Sequence, residues 1–100
     1  MSLPTVPANP PPVRPTKRAS SFEPAVAVCF GEVIRAERSK LGIAQDRFAL
    51  LANVDRSYYG KLERGERQPS LGLMLRIARS LGVPASDLVA QVEKGAKAFD

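Results

Sequence analysis

A chain of 100 residues with one cysteine and no histidine has room for a single core. It lacks the residues for an internal disulfide, a cysteine zinc cluster, a histidine metal site or a Ser-His-Asp triad. The net charge of +5 and pI of about 9.9 point toward a polyanionic partner, nucleic acid foremost.

No stretch approaches the roughly 18 apolar residues of a membrane span, and no charged-then-apolar leader opens the chain. The expectation is a reduced cytoplasmic protein that meets no membrane, with no catalytic residues, metal or cofactor.

Seven of the nine prolines fall in residues 1–24. Proline fixes φ and offers no backbone donor, so this stretch is expected to be a disordered Pro-rich arm. Its net charge is +2, from Arg14, Lys17 and Arg18 against Glu23. Such an arm either follows DNA phosphates or enters a minor groove, or it contacts nothing. The expected organisation is an arm over 1–24, a domain over 25–95 and a tail over 96–100.

Residues 25–100 are rich in helix formers, and the fold class is expected to be all-α with five helices. The first is predicted from Ala25 to Lys40, capped by Ser20 or Ser21, with Val26, Phe30, Val33, Ile34 and Leu41 on its apolar face. Gly42 ends it. Cys29 is read as a small buried apolar residue.

A short second helix runs from Gln45 to Ala52, with Phe48, Leu51 and Ala52 inward. Asn53 tolerates the left-handed turn that closes it. Asp55 caps a third helix, Arg56 to Arg64, which Gly65 stops. The three- or four-residue gap between these two helices is helix-turn-helix spacing.

Ser70 caps a fourth helix, Leu71 to Leu81, with Leu71, Leu75, Ile77, Ala78 and Leu81 as its core set. Pro84 suits the first turn of a fifth, Ala85 to Lys94, with Leu88, Val89 and Val92 as its stripe.

Three segments carry a family likeness: FGEVIRAERSKLGIAQDRFALLANV, DRSYYGKLERGERQPSL and LMLRIARSLGVPASDLV. The run Leu62-Glu63-Arg64-Gly65-x-x-x-Pro69-Ser70-Leu71 is the strongest piece. The stretch Phe30 to Leu88 resembles the Cro/phage-repressor type of helix-turn-helix, the XRE family. The resemblance implies a compact five-helix lambda-repressor-like DNA-binding domain whose third helix enters the major groove.

Carried onto this sequence, Arg56, Ser57 and Lys61 become base-reading positions, with Gly60 letting the helix approach the base edges. Arg56 matches guanine O6 and N7 as a bidentate donor. A helical wheel independently sets Arg56, Ser57, Gly60, Lys61 and Arg64 on one polar face. Gln45, Tyr58, Arg64 and Arg67 become phosphate contacts, Gln45 also bracing the reading helix. The likeness implies an Arg38–Glu63 ion pair as a structural clamp. Two departures stand out: Ala44 replaces the usual Ser or Thr cap of the second helix, and Asn53 replaces a turn glycine.

The family habit is a dimer on pseudo-palindromic double-stranded DNA, and the dimer surface is expected on Leu88, Val89, Val92 and Phe99. The functional expectation is a sequence-specific transcriptional regulator acting by occupancy. The alternative is an antitoxin-type module that binds a toxin or other protein partner and regulates itself through the same domain.

Overall fold

A computed structural model describes residues 21–96. The described residues form five α-helices and no strand: α1 Pro24–Leu41, α2 Gln45–Leu51, α3 Arg56–Glu63, α4 Leu71–Leu81 and α5 Ala85–Gly95. Most of the expected arm, with Arg14, Lys17, Arg18 and Ser20, lies outside the described residues, as does Phe99.

Helix α1 begins at Pro24, where a missing N–H costs nothing. Its cap position is Glu23, which makes no side-chain capping bond. The expected cap at Ser21 is therefore corrected. The Ser21 carbonyl accepts instead from Gln68 Nε2 at 3.0 Å, while the Glu23 N–H donates to Gln68 Oε1 at 2.8 Å. One primary amide thus pairs with both ends of the chain's entry into α1.

The turn between α2 and α3 closes on itself. Asn53 takes φ 57°, its N–H bonds the Leu50 carbonyl at 3.1 Å, and the Val54 N–H bonds the Ala49 carbonyl at 2.9 Å. These paired reverse bonds satisfy carbonyls that a helix end would leave orphaned. Arg76 of α4 donates to the Asn53 carbonyl at 2.6 Å. Asp55 then caps α3, its carboxylate accepting from the Tyr58 N–H at 3.0 Å.

Helix α1 packs against α3, α4 and α5, while α2 packs on α3 and α4 on α5. Ile34, Phe48, Tyr59, Leu62, Ile77 and Leu88 are fully buried where these faces meet. The rings of Phe48 and Tyr59 lie 5.3 Å apart with their planes inclined at 49°, a tilted aromatic contact that couples α2 to α3. Cys29 is half-buried and sits 3.8 Å from the Val92 carbonyl. Burial, and then Glu32, push its thiol up, which is the opposite of a reactive thiolate.

Several expected core residues face outward. Leu71 is 69% exposed, and Leu75, Leu51 and Leu41 are exposed too. The buried stripe of α4 is Ile77, Ala78 and Leu81, flanked by Leu73 and Met74. That of α2 is Phe48 and Ala49, continued by Ala52 at its cap. In both helices the apolar residues outnumber what one face holds, and the surplus turns to solvent.

Two of the expected dimer residues are also corrected. Leu88 is 0% and Val92 9% exposed, so both are used by the chain's own core. Val89 alone of the described set lies on the surface.

Candidate nucleic-acid interface

The N-terminus of α2 and the outer face of α3 enclose an open groove of about 490 Å³, lined by Gln45, Asp46, Arg56, Ser57, Gly60 and Arg64. Arg56 and Ser57 stand exposed in the first turn of α3. Gly60 lies in the next turn and is buried beneath neighbouring side chains. The structure therefore gathers five of the eight expected DNA-facing residues. Lys61 and Tyr58 are half-buried on α3 outside the groove lining, and Arg67 is exposed in the loop beyond.

Beneath the groove lies a buried polar knot. The Glu63 carboxylate is completely buried. It accepts from Arg38 Nε at 2.6 Å and Nη2 at 3.0 Å, and from Gln45 Nε2 at 2.9 Å. Arg38 also donates to the Ile43 carbonyl at 2.7 Å, and Arg35 approaches Glu63 to 3.6 Å from a mostly exposed position.

Burial disfavours the charged form of Glu63. Arg38 foremost, then the nearby Tyr59 hydroxyl and Gln45, outweigh that penalty and hold its carboxyl below the usual range. The Tyr59 hydroxyl is buried near the same pair without a hydrogen bond of ordinary geometry. Burial first, and then Glu63, push it up.

This knot joins α1, the start of α2 and the last residue of α3. Gln45 is thus tied by its Nε2 to Glu63, and its Oε1 faces the space above Gly60. Backbone contact reinforces the joint: a Cβ on Gly31 would lie 2.5 Å from the carbonyl oxygens of Leu62 and Glu63. Gly65, at φ 77°, lies against the backbone of Val28. The close approach and the left-handed turn both demand glycine.

Asp46 also lines the groove, a placement not expected from the sequence. Arg64, expected on the polar face with Gly60 and as a phosphate contact, folds back over the groove. Its Nη1 stands 3.1 Å from where a Gly60 Cβ would be. Its Nε donates to Glu66 Oε2 at 2.7 Å, and this bond holds the Glu66 carboxyl below its usual range. Gly60, expected to let the helix approach the base edges, is covered by the Arg64 side chain.

A short turn joining two helices, with the second presenting a polar face over a firmly braced base, defines a DNA-binding helix-turn-helix protein. Residues 34–88 match the family described as helix-turn-helix. The control protein C.MunI of a Mycoplasma species is 33% identical over 70 residues, covering 69% of this chain and 95% of that protein. The control protein C.BamHI of Bacillus amyloliquefaciens is 34% identical over 65 residues, covering 64% and 80%. The crystal structure of the restriction-modification controller protein C.AhdI from Aeromonas hydrophila superposes with a TM-score of 0.61 at 39% identity, covering 64% of this chain and 93% of that one.

The chain belongs to the helix-turn-helix family, of the Cro/phage-repressor (XRE) type. It is a sequence-specific DNA-binding transcriptional regulator. Among the described residues no helix is long and apolar enough to cross a membrane.

Proposed function

We propose that this regulator binds as a dimer to a pseudo-palindromic operator, each copy placing α3 in the major groove, and that it belongs to the controller class of small regulators. The observation that carries the reading is the groove between α2 and α3, where Arg56 and Ser57 stand free at the opening turn of α3. Arg56 suits guanine, Ser57 can donate or accept, and Lys61 reaches from the flank as a point charge. Gly60 adds no side chain of its own and lies beneath Arg64 and Gln45. Tyr58 and Arg67 flank this face and serve the phosphates, helped by the N–H groups that open α2, while Gln45, its Nε2 held by Glu63, braces the reading helix.

The controller reading is supported by likeness to two controllers, of which the matched region spans 95% (C.MunI) and 93% (C.AhdI). Dimerisation is supported by exposed apolar side chains on α4 and α5, namely Leu71, Leu75 and Val89. Two-fold symmetry would set half-sites about one helical turn apart, roughly 34 Å.

Selection of binding sites from random duplex DNA, followed by anisotropy titration at two salt concentrations, tests the proposal. A selected pseudo-palindrome with that spacing is the expected result. Arg56→Ala should cost about 1–3 kcal/mol and relax one base position, while Arg67→Ala weakens all sequences alike. Absence of a selected motif, with weak and steeply salt-dependent binding, would overturn it.

A further inference from the structure

We propose that Arg64 is a specificity-determining residue that reads a guanine edge, with Glu66 as the buttress that aims it and Gly60 as the slot that admits it. The inference rests on the reading of the α2–α3 groove as the face that meets DNA.

Three observations place the guanidinium. Its Nη1 lies 3.1 Å, and its Cζ 4.0 Å, from the point a Gly60 Cβ would occupy. The head group therefore covers the bare patch of α3 one turn beyond Arg56 and lines the same groove as Arg56 and Ser57. Glu66 engages one edge of the fork, Nε at 2.7 Å with a longer contact from Nη2 at 3.5 Å.

The Glu66 backbone is itself fixed, while its side chain and that of Arg64 stay about half exposed. Its N–H closes the C-terminus of α3 by bonding the Lys61 carbonyl at 2.9 Å, across the left-handed Gly65. Arg67 Nη1 also donates to the Glu66 carbonyl at 2.9 Å.

The chemistry follows from the donor inventory. A guanidinium has five N–H donors in a rigid fork. Glu66 takes the Nε side, which leaves both Nη1 hydrogens and the outer Nη2 hydrogen. That remaining edge matches guanine O6 and N7 in the major groove. A carboxylate on the opposite edge restricts the head group before binding, so less ordering remains to be done at the DNA. It also cancels most of the net charge, which disfavours a role as a mere phosphate neutraliser.

The test compares wild type, Arg64→Lys and Glu66→Gln by site selection and by anisotropy on the selected operator, on single-base variants of it and on random duplex. Thermal unfolding of each variant checks the fold. Arg64→Lys keeps the charge and loses the fork, so preference at one G·C pair should fall on the order of tenfold while random-duplex affinity holds. Glu66→Gln removes a negative charge and the buttress, so random-duplex affinity should rise while preference at that same pair falls.

If Arg64→Lys selects the wild-type motif with undiminished preference, or Glu66→Gln raises affinity for all sequences equally, Arg64 is a phosphate contact and the inference fails alone. If the wild type selects no motif, the underlying reading of the groove fails first.

Discussion

Arg38 and Glu63 join the first helix to the last residue of the third through two hydrogen bonds, of 2.6 and 3.0 Å, onto a carboxylate that has no solvent exposure. The pair is asymmetric. Arg38 keeps partial access to water and a second acceptor at Ile43, whereas Glu63 depends on its neighbours entirely. Removing the arginine leaves a buried charge, which typically costs about 3–5 kcal/mol. Removing Arg35, mostly exposed and 3.6 Å away, falls in the range of about 0–1 kcal/mol for surface pairs. Urea unfolding of Arg38→Ala and Arg35→Ala should therefore separate clearly. Equal losses would mean that Arg38 contributes no more than a surface charge.

The same knot sets a pH dependence. The folded state holds Glu63 below its ordinary value of 4.5, so its contribution is complete above that pH. It is lost as pH falls from 4.5 through the lower folded value, because the unfolded chain then binds the proton more readily. Tyr59 is held above its ordinary value of 10.0, so stability declines again once pH exceeds 10 and the unfolded tyrosine ionises. Urea midpoints measured from pH 3 to 11 should form a plateau between these limits. Glu63→Gln should flatten the acid limb and, because Glu63 also helps to raise Tyr59, make the alkaline limb shallower. An unchanged acid limb in that variant would assign it to other carboxylates.

The sequence made the helices legible because their punctuation is local. Asp55 and Ser70 cap α3 and α4 through their own side chains, and Gly42, Asn53, Gly65 and Gly82 all take the left-handed conformation. Facing was harder to read. In α4, apolar residues stand at 71, 73, 74, 75, 77, 78 and 81, so helical periodicity admits more than one stripe, and packing against α1 and α5 selects the one through Ile77. The Arg38–Glu63 link was reached through family likeness, since no local pattern connects residues 25 apart. The Gln68 amide on Ser21 and Glu23 joins groups 45 to 47 residues apart and left no trace in composition, whereas Arg64 over Gly60 is an i, i+4 relation that the helical wheel already placed on one face.

Gly31 and Gly60 should respond oppositely to the same substitution. A methyl on Gly31 meets two backbone carbonyl oxygens at 2.5 Å. Helix α3 must move away from α1, at a cost in the range of about 1–3 kcal/mol for overpacking. A methyl on Gly60 meets the far ends of Arg64 and Gln45 at 3.1 and 3.5 Å, which can swing aside, and alanine improves helix propensity by about 1 kcal/mol. Gly31→Ala should melt below wild type and Gly60→Ala at or above it. A Gly31→Ala protein as stable as wild type would show that the α1–α3 approach tolerates separation.

Ala44 leaves the first turn of α2 without a side-chain cap. Its backbone already has the extended cap conformation, φ −65° and ψ 154°, and its side chain is exposed. A hydroxyl there can accept from an N–H of the first turn with no rearrangement, and such a cap typically contributes about 1 kcal/mol. Ala44→Ser should raise the urea midpoint without changing the slope of the transition, since the surface exposed on unfolding stays the same. Asp46 already stabilises the same turn as an acidic residue at the helix N-terminus. The gain should therefore persist in Asp46→Asn if cap and dipole act independently, and it should shrink there if both compete for one N–H.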